Sequence, residues 1–175
     1  VLVTSNTFSG MDFLNLLYPQ ALLVQTACAD GRIPLWNWLS WGGSPLLASM
    51  QSAPLYPPMW LTLLLPLPYG LQLNILLHLA WAGAGAAVLA RSQFGVERLA
   101  SLYAGLAYTG GGFFLGHIEQ VNSIAAMAWV PWIFVAGTAC FEGHRSLLLV
   151  SVCVAMGLLA GHPQHIVLGI LFLDI

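Results

Sequence analysis

The chain has 175 residues, 59% of them hydrophobic and only 6% charged, with a formal net charge of −2. A soluble domain carries about 25% charged residues, so the composition argues against an ordinary water-soluble enzyme and predicts an integral membrane protein. No basic cluster points to nucleic acid or to a polybasic lipid site, and Cys28, Cys140 and Cys153 form neither a metal spacing nor a disulfide framework.

The apolar runs are long and continuous rather than alternating with period two, which predicts an all-α bundle of membrane-spanning helices. Residues 1–69 read as a large first loop with short or re-entrant helices, and residues 70–175 as spans over about 71–91, 98–115, 120–141, 146–160 and 163–175. The chain begins at Val1 without a Met and stops inside an apolar run at Asp174-Ile175, as expected for a fragment, a single truncated domain.

Residues 1–10 are too short and polar to span. Ser9-Gly10-Met11-Asp12 then opens FLNLLYPQALLVQTACAD, in which Asn15, Gln20 and Gln25 interrupt helically spaced apolar positions. This predicts an amphipathic helix in the interface, broken or kinked at Pro19 and stopped by Gly31. From Gly31 to Pro58 the prolines and the Gly42-Gly43 pair predict a compact loop with at most short helical turns. Trp36, Trp38 and Trp41, with Trp60 just beyond, make it an interfacial platform packed on the helices that follow.

The run Leu55–Leu65, ended by Pro66-Leu67-Pro68, falls short of the ~20 residues that cross a bilayer, so it reads as re-entrant, tilted or half of a broken helix. Leu71–Ala90 has no charge, and its GAGAA stretch at 83–87 offers the small side chains that let membrane helices approach closely. Asn74 and His78, one helical turn apart, are expensive in lipid and should face protein, as glue or as a cavity wall. Trp129 and Trp132 around Pro131 read as interfacial or packing aromatics.

Arg91 and Arg98 flank one turn and Arg145 lies in another. The excess of positive charge on cytoplasmic loops then places the first loop, residues 110–120 and residues 161–165 together on the extracytoplasmic face.

Four places on that face carry chemistry. Asp12 is either a first-turn cap, since Ser9-x-x-Asp12 has the form of a capping box, or a general base in the first loop. His117 and Glu119 are two apart on a turn, so both can face one cleft, or else Glu119 caps a helix and His117 is an interfacial hydrogen-bonder. In Gly161-His162-Pro163-Gln164-His165 the proline suits the first turn of a helix. The free N–H groups there favour an anion, with His162, Gln164 and His165 as added donors; the alternative is a polar cap. Arg32 either pairs with the same anion or snorkels to headgroups.

Asp12 followed by Tyr18-Pro19, G-R-I-P-L-W-N-W, G-G-S-P-L-L-A, Q-S-A-P-L-Y-P-P, Gly116-His117, W-V-P-W at 129–132 and L-A-G-H-P-Q at 159–164 together resemble the bacterial YfhO-type membrane protein family. The resemblance implies a GT-C-like polytopic glycosyltransferase of the bacterial cytoplasmic membrane and cell envelope, with its active face extracytoplasmic. It implies a polyprenyl-phosphate-linked sugar as donor, a cell-envelope glycan, lipid or protein as acceptor, and Asp12 as the catalytic base. Asp30, the only other acid in the first loop, sits at an apparent helix end, so no carboxylate pair for a metal is evident and no cofactor is expected. The alternative is a lipid-carrier transporter or a non-catalytic membrane assembly factor holding the same lipid phosphate without bond cleavage; an acid in the cleft favours the enzyme.

Overall fold

The computed structural model describes residues 13–40, 42–141 and 147–171. Asp12, Trp41 and Arg145 lie outside the described residues. The fold is almost wholly helical. A π-helical turn at Phe13–Leu17 runs into α1 (Tyr18–Ala29), and Pro19 sits in the first turn of that helix. The proline therefore does not break it, because the N–H it lacks would have no partner at a helix start anyway. The apolar residues of α1 lie around the helix rather than along one stripe, so the expected amphipathic helix is not formed.

Gly31 stops α1 from the left-handed region, φ 68°. Arg32 N–H donates to Ala27 O (2.8 Å) and Gly31 N–H to Cys28 O (3.0 Å), closing the last turn's open carbonyls.

The segment that follows is more ordered than the prolines and glycines suggest. Trp36–Asn37 (β1) and Ser44–Pro45 (β2) pair antiparallel, Trp36 opposite Pro45 and Asn37 opposite Ser44. Asn37 sets the turn: its Oδ1 accepts from Leu39 N–H (2.9 Å) and its Nδ2 donates to Ser40 Oγ (2.9 Å). The indoles of Trp36, Trp38 and Trp60 are exposed, while Leu46, Tyr56 and Met59 are buried. The platform thus packs through Leu46, Tyr56 and Met59, while Trp36, Trp38 and Trp60 stay outside.

A 3-10 turn at Pro57–Trp60 leads into α2 (Leu61–Leu64). The chain turns at Leu65-Pro66 and starts α3 (Leu67–Phe94). At the turn, Gly70 is pressed against the backbone of Leu61 and Thr62. Gln25 of α1 ties in as well, its Nε2 donating to Thr62 O (2.9 Å).

The bundle comprises α3, α4 (Arg98–Thr109), α5 (Gly112–Gly116), α6 (Val121–Phe141), α7 (Leu147–Leu159) and α8 (Pro163–Leu171). The expected span 98–115 is not continuous. Gly110 N–H closes the last bond of α4, to Leu106 O (2.8 Å), and Gly111 turns extended before α5. Consecutive glycines cost about 1 kcal/mol each inside a helix, so the break falls where continuing is least favourable.

α3 and α6 run side by side in the same direction, joined by stacking of Trp81 on Trp132 (4.3 Å between rings) and by Gln93 Nε2 donating to Thr138 Oγ1 (2.9 Å). Pro131 lies inside α6 and has no N–H to offer Met127 O; the Tyr108 hydroxyl from α4 donates to that carbonyl instead (3.1 Å).

α3 and α4 touch backbone to backbone. A Cβ on Gly105 would lie 2.5 Å from Gly83 O. Gly105→Ala is therefore expected to force the two helices apart and to cost about 1–3 kcal/mol, read from denaturant unfolding of the purified protein. An unchanged midpoint would show that the contact does not hold the pair together.

Among the described residues, two helical stretches are long and apolar enough to cross a membrane, Tyr69–Phe94 and Val121–Phe141. At 1.5 Å per residue their 26 and 21 residues span about 39 and 31 Å, against a hydrocarbon core of about 30 Å.

Candidate functional site

The ends of several elements meet where α6 and α8 begin. A 3-10 turn at Met50–Ser52 is fixed by the Ser52 hydroxyl, which donates to Leu46 O and Ser49 O. Asn122, in the first turn of α6, donates through Nδ2 to Gln51 O. Gly161, just ahead of α8, lies in the same junction: a Cβ there would be 2.5 Å from Met50 O and 2.9 Å from Asn122 Nδ2. Beside this junction Leu16, Leu17, Gln51, Gln120, Asn122 and His162 line a cavity of about 80 Å³.

Three histidines gather around Phe113 of α5. His117 stacks on its ring (4.3 Å), His165 meets the ring edge-on (5.3 Å), and His162 stacks on His165 (5.4 Å). His117 Nδ1 lies 2.8 Å from Phe113 O and His162 Nδ1 lies 3.0 Å from Gly161 O. A carbonyl only accepts, so each Nδ1 carries a proton, and in the neutral ring each Nε2 is left as an acceptor. His165 Nε2 is buried without a hydrogen-bond partner among the described residues. Among the described residues no group of three His, Cys, Asp or Glu side chains is placed to hold a metal ion.

A second polar network lies deeper. The Tyr56 hydroxyl is 2.5 Å from His78 Nε2, His78 Nδ1 is 2.7 Å from Asn74 O, and Trp129 Nε1 donates to the Tyr56 oxygen (2.8 Å). The Asn74 carbonyl fixes the proton on Nδ1, so the tyrosine donates to Nε2 and accepts from the indole. Asn74 Nδ2 in turn donates to Pro58 O (2.8 Å). His78 and Asn74 thus fasten the first loop to α3 and α6, which is the role of glue. Burial pushes the Tyr56 hydroxyl above the ordinary tyrosine range, against a smaller lowering by the Trp129 hydrogen bond.

Of the residues singled out in the sequence, His117, His162 and His165 come together. Glu119 does not join them: it is half-buried on the turn before α6, and no ring contact, hydrogen bond or ion pair links it to the histidines. It does not cap α6 either; Gln120 stands at that start, its carbonyl accepting from Ile124 N–H (3.1 Å) and its Oε1 from Ser123 Oγ (3.0 Å). Gln164 points to the outside. Arg32 is exposed and paired with Asp30 (2.6 Å), two residues away at the end of α1, and is not among the residues lining the cavity. Asp12 lies outside the described residues.

Asn122 and Gln120 carry no mark of a site in the sequence, and Gly161 stands out there only as the residue ahead of His162-Pro163. A pair of polar side chains, Asn122-Ser123, at the head of an otherwise apolar run was the available signal.

Fold and junction together define a helical bundle with a cluster of histidine and amide side chains where its loops meet. Comparison of the chain with protein-family models, with curated proteins and with solved structures gives no match.

Proposed function

We propose that the chain is part of a multi-pass glycosyltransferase of the bacterial cytoplasmic membrane, which moves a sugar from a polyprenyl-phosphate carrier to an acceptor hydroxyl on the extracytoplasmic side. The observation that carries this reading is the convergence of His117, His162 and His165, with Gln120 and Asn122, from well-separated parts of the chain onto one end of the bundle.

Two further features support it. The apolar stretch of α3 is only 28% buried, and Leu99, Leu102, Leu106, Leu147 and Leu148 are exposed, which suits lipid better than water. Arg91 and Arg98 stand at the opposite end from the histidines, where the charge rule places the cytoplasm.

In this reading Asp12 takes the proton from the acceptor hydroxyl as its oxygen attacks the anomeric carbon. The bond from that carbon to the phosphate oxygen breaks, and the lipid phosphate leaves with the electron pair, inverting the centre. The leaving anion gains from the positive end of α8 at Pro163. Arg32, held by Asp30, has no part in this step.

The test is transfer of radiolabelled sugar from a polyprenyl-phosphate donor in membranes holding the full-length protein. Asp12→Asn is expected to lower transfer about a hundredfold or more, with insertion and donor binding unchanged. Full transfer by the variant removes Asp12 from the mechanism. Donor binding with no transfer by the wild type would point instead to a lipid-carrier transporter or an assembly factor.

A further inference from the structure

The first loop is bonded to the bundle below the ends of the membrane-crossing helices, not on top of them. Asn74 and His78 lie five and nine residues inside the apolar stretch that begins at Tyr69, about 8 and 14 Å along the helix. That stretch exceeds the hydrocarbon core by about 9 Å. With the excess shared between its ends, Asn74 stands about 3 Å and His78 about 9 Å inside the core. Asn74 Nδ2 donates to Pro58 O (2.8 Å), and His78 Nε2 accepts from the Tyr56 hydroxyl (2.5 Å). α6 gives a matching depth independently. Trp129, whose indole donates to the Tyr56 oxygen, lies eight residues into the stretch that begins at Val121, about 12 Å from its end. The backbone at Pro58 is therefore at the edge of the lipid chains, and the Tyr56 side chain is well inside it.

The hydrogen bonding of this dip is what such a depth demands. At a wet surface, water serves the carbonyls of a loop, whereas in hydrocarbon only protein donors can. Here Trp60 Nε1 donates to Pro54 O (3.1 Å), Asn74 Nδ2 to Pro58 O and the Thr62 hydroxyl to Met59 O (2.6 Å). Met59 N–H closes Tyr56 O (2.9 Å), and Tyr56 N–H closes Ala53 O (3.1 Å). Pro54, Pro57 and Pro58 bring no N–H that needs a partner. Where the chain climbs out again, Gln25 Nε2 serves Thr62 O and Leu65 O. The side chains left outside are apolar: Leu55, Pro57 and Trp60 are exposed, and no charged residue stands between Arg32 and Arg91.

We propose that Pro54–Trp60 is a shallow re-entrant wedge, with Leu55, Pro57 and Trp60 among the acyl chains of the leaflet on the side of the loops. This placement rests on α3 and α6 crossing a membrane, not on sugar transfer.

The experiment uses the full-length protein with its native cysteines replaced by alanine and one new cysteine carrying an NBD fluorophore, in phosphatidylcholine vesicles. Leu55→Cys reports on the wedge. Asp30→Cys, at the exposed ion pair with Arg32, is the aqueous reference, and Leu77→Cys, exposed on α3, is the reference within the membrane. Nitroxides on the upper part of the acyl chains are expected to quench the label at residue 55 as strongly as that at 77. Iodide, present on both sides of the vesicle, should quench it about tenfold less than at 30. Trp60→Cys is read in the same way, and it decides if circular dichroism shows that Leu55→Cys does not fold. Iodide quenching at 55 equal to that at 30, with 77 sheltered, overturns the wedge and leaves the spans standing. Iodide quenching at 77 removes the membrane crossing and the wedge together. A label at 55 sheltered from iodide and nitroxide alike is covered by protein, a second copy or a partner, which also overturns the placement in lipid. Sheltering from iodide with chain quenching in a protein that transfers no sugar leaves the wedge standing and removes the transferase.

Discussion

Gly161→Ala is expected to cost about 2–6 kcal/mol and to open the junction at the head of α6 and α8. Two independent terms add. Gly161 has φ 102°, where an L-residue is strained by about 1–3 kcal/mol. The new methyl group would also lie 2.5 Å from Met50 O, a backbone atom that cannot swing aside, and 2.9 Å from Asn122 Nδ2. Overpacking of this kind costs about another 1–3 kcal/mol. Relief requires the 50–52 turn to withdraw, and that pulls Gln51 O away from Asn122. The variant should therefore lose stability in a denaturant titration. A midpoint within experimental error of the wild type would mean that the three segments are not packed as closely as these distances state.

Tyr56→Phe is the second large effect. The hydroxyl is the only hydrogen-bond partner of both His78 Nε2 and Trp129 Nε1 among the described residues, and Tyr56 itself is fully buried. Deleting one oxygen strands a buried acceptor and a half-buried donor at about 1–3 kcal/mol each, so a loss of about 2–6 kcal/mol is expected.

The pH dependence has a definite sign. Burial holds the folded Tyr56 hydroxyl protonated to higher pH than in the unfolded chain, where it titrates near 10. The contribution is therefore complete below about pH 10 and is lost as pH rises beyond it, because the unfolded chain can then release the proton and the folded one resists. Wild-type stability should fall more steeply above pH 10 than that of Tyr56→Phe. Parallel slopes for the two would show that the hydroxyl is not desolvated as the structure has it.

The features that the sequence discloses well are those that depend on neighbours in the chain. Pro163 starts α8 because a proline at a helix start forfeits nothing, and Leu71–Ala90 lies within α3 because a long uncharged run has few other solutions. Asn74 and His78 could be seen to need partners, although not which ones. What escaped depends on distant segments. Nothing near Arg32 in composition marks it as bound to Asp30 rather than to a ligand anion, since the geometry of the turn at Gly31, the one residue between them, decides the matter. The pairing of Trp36 with Pro45 hides among residues that otherwise signal irregular loop. The three glycines at 110–112 could be read either as the end of a span or as a hinge, and the structure uses them as a hinge. Asn122 reads as an ordinary polar residue at a helix start until Gln51, 71 positions earlier, takes one half of its amide and leaves the other half bare.

That separation bears on how the protein is made. The bonds that lock the first loop in place run from Gln51 to Asn122 and from Tyr56 to Trp129, spans of 71 and 73 residues, and the backbone contact at Gly161 reaches further still. During synthesis the loop emerges well before any of these partners. Its bonds to Asn74 and His78 can form with α3 alone, but the 50–52 turn meets Asn122 only when α6 is made and Gly161 only ahead of α8, so the cavity is the last part of this junction to exist. A ribosome-bound chain arrested between α4 and α6 would already hold the α3–α4 pair through Gly83 and Gly105 and the loop's bonds to α3 through Asn74 and His78, yet its 50–52 turn would stay open to protease until Asn122 and Gly161 arrive.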